Sequence, residues 1–378
     1  MTTTTPTGLD PHTQLTLLEH LVNTDSAPDT SGIDDVYDIL EPHLKQIGFS
    51  ASRVPTSGPD VLRAHLPGSR PSATRVIMLG HVDTVFPTGT AAERPFTIND
   101  GRAFGPGVAD MKAGLVVMLA AVASLPDHVR AGLELTMLFN GDEESSSTAS
   151  RPVIEATAAG QDVALVFEAA RRNGAIVESR RGVHRYRLDV AGRAAHSGSN
   201  PEAGANALET LAHTILGVQA IDRDIDGATV TAVLARGGSR PNIVPDAASV
   251  DVDCRFDDAA AEAQVRQRLT GLTGPGPVDG TSVALTSRAG RPPYSAPATD
   301  LVTSYVEVAA AHGVTVPTTR AGGGSDGNFT AAMGIATLDG LGAVGGGAHT
   351  SDEYIEVPTL AQRSEICAAL LTRLGQAI

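Results

Sequence analysis

The apolar positions of the first half of the chain recur with two alternating periods. Leu15, Leu18 and Val22 fall on one face of a helix, and Ile33 to Ile47 carries a second helical pattern closed by Gly48. Arg75 to Leu79 is a short run of β-formers that stops at Gly80. Leu133 to Phe139 is another, stopping at Asn140-Gly141, and Val163 to Phe167 is a third. Between the first two runs, Met111, Leu115, Met118, Leu119, Val122 and Leu125 recur at helical spacing. Buried strands interleaved with helices predict an α/β layer architecture.

The period changes in the middle of the chain. Tyr186, Leu188 and Val190 alternate with Arg185, Arg187 and Asp189, the signature of a half-exposed strand. A helical stretch (Gly204 to Val218), a strand (Ala228 to Ala235) and a third strand follow. In the last of these Val250, Val252, Cys254 and Phe256 alternate with Asp251, Asp253 and Arg255. A helix over Ala259 to Leu269 and a strand over Ser282 to Ser287 complete the order β-α-β-β-α-β. This is the split βαβ pattern of a ferredoxin-like α+β domain, expected at 182–292. After Pro292-Pro293 the outer pattern resumes, with a glycine-rich segment from Gly322 to Gly347 and a terminal helix from Pro358. Residues 1–181 and 293–378 are therefore expected to build one domain, interrupted by the other.

Composition narrows the function classes. A chain of 378 residues is longer than one hydrophobic core usually serves. The formal charge is −15 and no Lys/Arg-rich block occurs, so phosphate backbones and anionic lipid are repelled. Aromatic residues make up only 3%, with no tryptophan, which leaves no stacking platform for bases. Neither nucleic acid nor a membrane is an expected partner. Cys254 and Cys367 lie far apart and fit neither a zinc-finger spacing nor a disulfide framework. The Thr/Pro-rich segment Met1 to Pro11 has no basic and apolar leader pattern. No run approaches the roughly 18 apolar residues of a membrane span, and a cytoplasmic location is expected.

Candidate chemistry gathers where the predicted strands stop. One strand delivers Gly80-His81-Val82-Asp83, the next Asp142-Glu143-Glu144, and the third Glu168. In open α/β sheets ligands bind outside the carboxyl ends of the strands. Asp110 precedes the apolar helical run and is expected at that helix's start; His349 follows the glycine-rich segment. Taken singly, each residue has an ordinary explanation: a hydrogen-bonded loop histidine, a solvated acidic loop, or a charge favoured by a helix dipole. Those explanations leave the convergence on three strand ends unaccounted for. Two imidazoles (His81, His349) with three carboxylates (Asp110, Glu144, Glu168) suit zinc, and also cobalt or manganese. Asp83, two residues past His81, can accept the other ring N–H and fix the ligating tautomer.

The segments His81-Val-Asp-Thr-Val, Gly105-Pro-Gly-Val-Ala-Asp110-Met-Lys-Ala-Gly, Asp142-Glu-Glu, Ala195-His196-Ser-Gly and Gly322-Gly-Gly-Ser-Asp326 together carry a resemblance. In order and over nearly the whole chain, they resemble the aminoacylase/carboxypeptidase superfamily. That peptidase group includes acetylornithine deacetylase, succinyl-diaminopimelate desuccinylase and glutamate carboxypeptidases of the carboxypeptidase G type. Phe86-Pro87, Pro95-Phe96 and Phe167-Glu168 look most similar to the glutamate carboxypeptidase branch.

The resemblance implies a zinc-peptidase-like catalytic domain, with a mixed sheet between helices, and an inserted lid and dimerisation domain. It implies two divalent ions per chain bridged by Asp110, with His81 and Glu168 completing one site and Glu144 and His349 the other. Glu143 would be general base, then acid, toward a water bridged by the metals. A cis peptide after Asp110 is also implied. His196 resembles the family histidine that steadies the tetrahedral oxyanion in the partner subunit, which implies a homodimer. Asn242, Arg255 and Arg291 match positions expected to bind a substrate carboxylate or oxyanion. The implied substrate is a small acyl amino acid or short peptide, cleaved at an amide next to a free carboxylate. N-acyl-glutamate or a C-terminal glutamyl bond is expected first, then N-acetyl or N-succinyl amino acids and small dipeptides. The chain departs from the family at Ser145-Ser146-Ser147, where an apolar or charged residue followed by Gly-Ser is common. It departs again at Arg171-Arg172, beside Glu168.

Two other readings compete. Gly323-Gly-Ser325-Asp-Gly327 matches a nucleophile elbow, and Asp339 and His349 follow in the order of a serine hydrolase. That reading gives no role to His81, Asp110, Glu143, Glu144 or Glu168. A binding module with a relict metal site would lack a ligand or the base, and none is missing.

Overall fold

The computed structural model describes residues 9–28 and 30–376. The start of the Thr/Pro-rich segment, residues 1–8, lies outside the described residues. The chain divides into two compact units. One comprises Met1–Ser179, Ala296–Arg320 and Ser325–Ile378, and the other Arg180–Ser295 with Ala321–Gly324.

The first unit is built on a mixed sheet of six strands in the order 50–54, 61–66, 133–140, 74–81, 163–166, 336–338. The first two junctions are antiparallel and the remaining three parallel. Its central strands are apolar on both faces, as strands covered on both sides must be. Val76, Met78, Val163 and Leu165 point into one core, with the helices Pro11–Val22, Gly32–Ile47, Ala113–Ala123, Thr299–Ala311 and Pro358–Gln376. Ile77, Leu79, Ala164 and Val166 point into the other, against Ile154, Ala158 and Phe329 of the helices Arg151–Ala158 and Gly327–Ala332. Every residue of Ala113–Ala123 is buried, so this helix lies inside the larger core. Asp10 accepts from the Thr13 N–H at 2.8 Å, and Pro11 opens the first helix. Gly48 closes the second at φ +109°.

The second unit is an antiparallel sheet in the order 228–237, 247–256, 182–191, 282–291, 274–275. The helices Ala207–Asp224 and Ala259–Thr270 cover one face of it, with Leu211, Val218, Val265 and Leu269 packed on Leu188, Val190, Val250 and Val252. Strand 247–256 lies between 182–191 and 228–237, which is the split βαβ arrangement of a ferredoxin-like domain.

Three features differ from the pattern-based reading. The hairpin Ser50–Val54/Val61–Leu66 was not anticipated, because its outer strand is exposed and carries no alternation. A small antiparallel sheet of 97–99, 102–104, 354–356 and 345–346 was also unforeseen, each strand being three residues or fewer. The apolar helix begins at Ala113 rather than at Asp110, which sits in an irregular turn before it with φ −115° and ψ 92°.

Candidate metal centre

Parallel pairing levels the strand ends that carry the chemistry. Gly80 pairs with Phe139 and His81 with Asn140, while Leu79 pairs with Val166. The next residues of each strand therefore emerge at one edge: His81-Val82-Asp83, Asp142-Glu143-Glu144, and Glu168. Asp110 and His349 reach the same place from loops.

The carboxylate of Asp110 lies between two imidazoles. Its Oδ1 is 3.2 Å from His81 Nε2 and its Oδ2 is 3.2 Å from His349 Nε2. Each histidine also meets its own glutamate: His81 Nε2 is 3.9 Å from Glu168 Oε1, and His349 Nε2 is 3.2 Å from Glu144 Oε1. Ligand atoms of His81, Asp110 and Glu144 lie within 4.8 Å of one another, as do those of His81, Glu143 and Glu168. His81 is buried, with 1% of its side chain exposed, whereas His349 is 52% exposed and opens the cluster to solvent. The peptide bond after Asp110 is cis.

Asp83 is fully buried and works on both sides. His81 Nδ1 is 3.0 Å from the Asp83 carbonyl oxygen and 3.3 Å from its Oδ1. The same carboxylate accepts the backbone N–H of Glu143 at 3.2 Å and of Glu144 at 2.9 Å. It thus fixes both the ring and the loop that carries the next two carboxylates.

The field at this point favours positive charge. Burial would depress His81, but its hydrogen bonds to the Asp110 and Asp83 carboxylates and the charge of Glu168 outweigh it and hold the imidazole well above its ordinary range. Hydrogen bonds to Asp110 and Glu144 raise His349 to about 10. Burial pushes Asp110 up, yet the two imidazoles prevail and hold it well below the usual carboxylate range. Glu144 Oε1 is buried, 3.2 Å from His349 Nε2. A mixed nitrogen and oxygen donor set with converging lone pairs fits divalent cations of the zinc, cobalt or manganese kind.

Residues that the pattern did not single out as ligands brace these candidate ligands. Asp142 Oδ2 accepts the N–H groups of Ala149 and Ser150 at 2.7 and 3.2 Å. Asp326, buried, accepts from Asn140 Nδ2 at 2.8 Å and from Ser147 Oγ at 2.5 Å. The Gly322-to-Asp326 segment therefore ends in a strut beneath the Glu143-Glu144 loop. Ser146 and Ser147 have φ of +81° and +52°, a left-handed backbone that glycine would adopt without strain. Glu353 is buried, with its carboxylate on the N–H groups of Gly107, Ala109 and Asp110. Burial pushes it up to about 7. The pairing of strands 102–104 and 354–356, too short to read from pattern, brings it there.

The serine-hydrolase constellation does not form. Ser325 is fully buried, donates from Oγ to Asp339 Oδ2 at 2.5 Å and accepts the Gly327 N–H at 3.1 Å. His349 turns its Nε2 to Asp110 and Glu144 instead.

The other expected residues belong to the second unit. His196 is exposed, and its Nδ1 accepts the N–H groups of Gly198 and Ser199, each at 3.1 Å. Asn242 is exposed and its carbonyl accepts the Ser197 N–H at 3.1 Å. Arg255 is already engaged: its Nε is 2.8 Å from Asp253 Oδ2 on the sheet's open face. Arg291 is buried, 9% exposed. Among the described residues, no helix is long and apolar enough to cross a membrane.

The chain is similar to known hydrolases over nearly its whole length. Carboxypeptidase G2 of Pseudomonas sp. (strain RS-16) is 30% identical over 377 residues, covering 95% of this chain and 88% of the relative. Succinyl-diaminopimelate desuccinylase of Caulobacter vibrioides (strain NA1000 / CB15N) is 29% identical over 360 residues, covering 89% and 90%. The crystal structure of aminopeptidase PepT from Bacillus cereus ATCC 10987 shares the fold, with a TM-score of 0.77 at 22% identity, over 97% of this chain and 99% of that one. The description of peptidase family M20/M25/M40 matches residues 77–373, and the chain belongs to that family of hydrolases acting on C–N bonds.

Proposed function

We propose that this enzyme hydrolyses an amide bond adjacent to a free carboxylate, with N-acyl-glutamate or a C-terminal glutamyl peptide as substrate. The observation that carries the reading is the Asp110 carboxylate with one imidazole at 3.2 Å from each of its oxygens. His81, Asp110 and Glu168 would hold one divalent ion, and His349, Asp110 and Glu144 the other, with zinc the first choice. When bound, such ions supply Lewis acidity to a carbonyl and a water of lowered pKa.

The remaining work falls to the chain itself. Glu143 is buried and its main chain is held by Asp83. It takes a proton from the attacking water on its carboxylate and delivers it to the departing amine nitrogen. Glu144, next in sequence, faces His349, so adjacent glutamates divide coordination from proton transfer. Because His196 Nδ1 accepts two backbone N–H groups, a neutral ring carries its proton on Nε2 and can donate to an oxyanion. With Arg255 engaged by Asp253, Asn242 and Arg291 are the better candidates for the substrate carboxylate.

A homodimer belongs to this reading. The edge strand Ala228–Gly237 leaves a ladder unpaired on one side and exposes Val233 (57%) and Leu234 (44%), beside exposed Leu208 and Leu216 on the helix Ala207–Asp224. A second copy could cover that edge, and light scattering tests it: a monomer at micromolar concentration removes this part. The cytoplasmic location is likewise part of the reading, tested by cell fractionation. The similarity to a desuccinylase keeps N-succinyl and N-acetyl amino acids as the second substrate class.

The test is metal content together with hydrolysis of a panel of N-acyl amino acids and glutamyl peptides, before and after chelation. Two ions per chain and chelator-sensitive cleavage restored by zinc or cobalt are expected. Glu143→Gln should keep both ions and lose about 10²–10⁴-fold in kcat. Full activity in metal-free protein would sink the mechanism.

A further inference from the structure

We infer that Glu353 is a positioning residue for the bridging carboxylate, clasping the loop of Asp110 to the loop of His349. The inference rests on the metal reading given above. Glu353 is 1% exposed and lies four residues past His349. Its Oε1 accepts the N–H groups of Ala109 at 2.8 Å and Asp110 at 2.9 Å, and its Oε2 accepts that of Gly107 at 3.1 Å.

Those three donors need an outside partner. The turn before the helix is irregular, with Gly107 at φ +70° and Asp110 and Met111 both outside helical φ/ψ. Its own main chain satisfies Val108 and Lys112, through Gly105 and Gly107 carbonyls, but offers nothing to Gly107, Ala109 or Asp110. A buried N–H without an acceptor is costly, so one carboxylate replaces three missing backbone bonds.

The placement explains why this carboxylate acts on the metal ligands rather than on stability alone. Strand Arg102–Phe104 pairs with strand Tyr354–Glu356, Phe104 opposite Tyr354. The loop to Asp110 leaves just after Phe104, and the loop from His349 arrives just before Tyr354. The strand pair closes the clasp at its base, the Glu353 carboxylate closes it midway, and Asp110 Oδ2 meets His349 Nε2 at 3.2 Å at its tip. Because Oε1 holds the N–H of Asp110 itself, Glu353 sets the direction in which the Asp110 side chain leaves the main chain. A shift there moves both carboxylate oxygens at once, and so both proposed sites.

Glutamine tests this with little change of shape. Its amide oxygen can still accept from Ala109 and Asp110, but its NH₂ would face the Gly107 N–H, donor against donor. Alanine leaves all three donors unsatisfied. The experiment measures stepwise zinc affinity of the full-length native, Glu353→Gln and Glu353→Ala proteins by competition with a chromophoric chelator. The visible spectrum of each cobalt(II)-loaded protein and the Tm of each metal-stripped protein are recorded alongside. The expected result is at least one zinc step weakened about 10–100-fold in Glu353→Gln with an altered cobalt spectrum, and a larger loss in Glu353→Ala. Should the alanine variant not fold, the glutamine variant decides. Native zinc affinities and a native cobalt spectrum in Glu353→Gln overturn the inference, even if its Tm falls, because the role is then structural only. A native protein that binds no zinc overturns the metal reading, and this inference with it.

Discussion

Gly114→Ala is the most informative single change, because it touches no ligand and yet should empty the site. At the second position of an interior helix, alanine would ordinarily gain stability, up to about 1 kcal/mol. Here an added Cβ would stand 1.9 Å from the carbonyl oxygen of Phe167 and 3.0 Å from its carbonyl carbon. An ordinary C···O contact is about 3.3 Å, so helix and strand end must part by more than 1 Å, and backbone cannot rotate aside as a side chain can. Overpacking of this kind costs about 1–3 kcal/mol, and a contact this close belongs at the upper end. The net loss is about 2 kcal/mol after the helical gain, or a Tm about 4–8 °C lower for the unit concerned. The direction of the strain matters more than its size. Helix Ala113–Ala123 starts three residues after Asp110, and Phe167 directly precedes Glu168. Forcing them apart pulls two of the carboxylates around His81 in opposite directions. Calorimetry of metal-stripped protein, with zinc content after dialysis against a fixed free-zinc buffer, reads both effects. A variant as stable as the native chain that holds two zinc ions would refute the close approach and the argument from it.

Three further outcomes follow from particular contacts. Asp83→Asn removes the charge that holds His81 and the Glu143 and Glu144 amides. Zinc affinity should fall about 10–100-fold by chelator competition, and native affinity would deny Asp83 that role. Ser146→Gly relieves a left-handed backbone at φ +81°; offset by the greater freedom of an unfolded glycine, it should stabilise by about 0.5–1 kcal/mol. A lower melting temperature would contradict it. Cys254 and Cys367 are fully buried and burial raises both thiols to about 12. Neither should react with a thiol reagent at pH 8 until the protein is unfolded, since only the thiolate is nucleophilic. Rapid labelling of the native state would show the burial to be wrong.

How much was legible beforehand depended on element length. The strands 74–81, 133–140 and 163–166 are apolar and end in Gly or Asn-Gly or a carboxylate, so both their existence and their cargo could be read. The 182–292 region alternated cleanly because one face of its sheet is open. The braces were not legible. Glu353 follows a turn and precedes a three-residue strand, and nothing in Thr350-Ser-Asp-Glu-Tyr distinguishes a buried carboxylate from a solvated one. Asp326 lies in a glycine-rich segment whose pattern gives no sign that its carboxylate is buried and accepts from Asn140 and Ser147. Arg255 shows what a sequence pattern leaves open: its side chain pairs with Asp253, two residues away on the same strand, a contact that alternation along the strand allows but does not specify.

The placement of the donors also shows why strand register has to be specified so tightly in this unit. In a sheet covered on both faces, sliding strand 74–81 by one residue against 133–140 would exchange Val76 and Met78 with Ile77 and Leu79 between the two cores. The apolar volumes exchanged are similar, so hydrophobic burial alone discriminates weakly against the slip. The polar ends discriminate strongly. A slip would carry Asp83 away from the Glu143 and Glu144 amides and His81 away from the Asp110 carboxylate, leaving buried charges and buried N–H groups unsatisfied. The same contacts that assemble the proposed metal ligands are therefore a register lock for the central sheet. The prediction that separates this from a purely functional role is a stability loss in metal-stripped Asp83→Asn itself, read as a lowered Tm. If the metal-stripped variant melts with the native protein, the lock lies elsewhere and Asp83 serves the site alone.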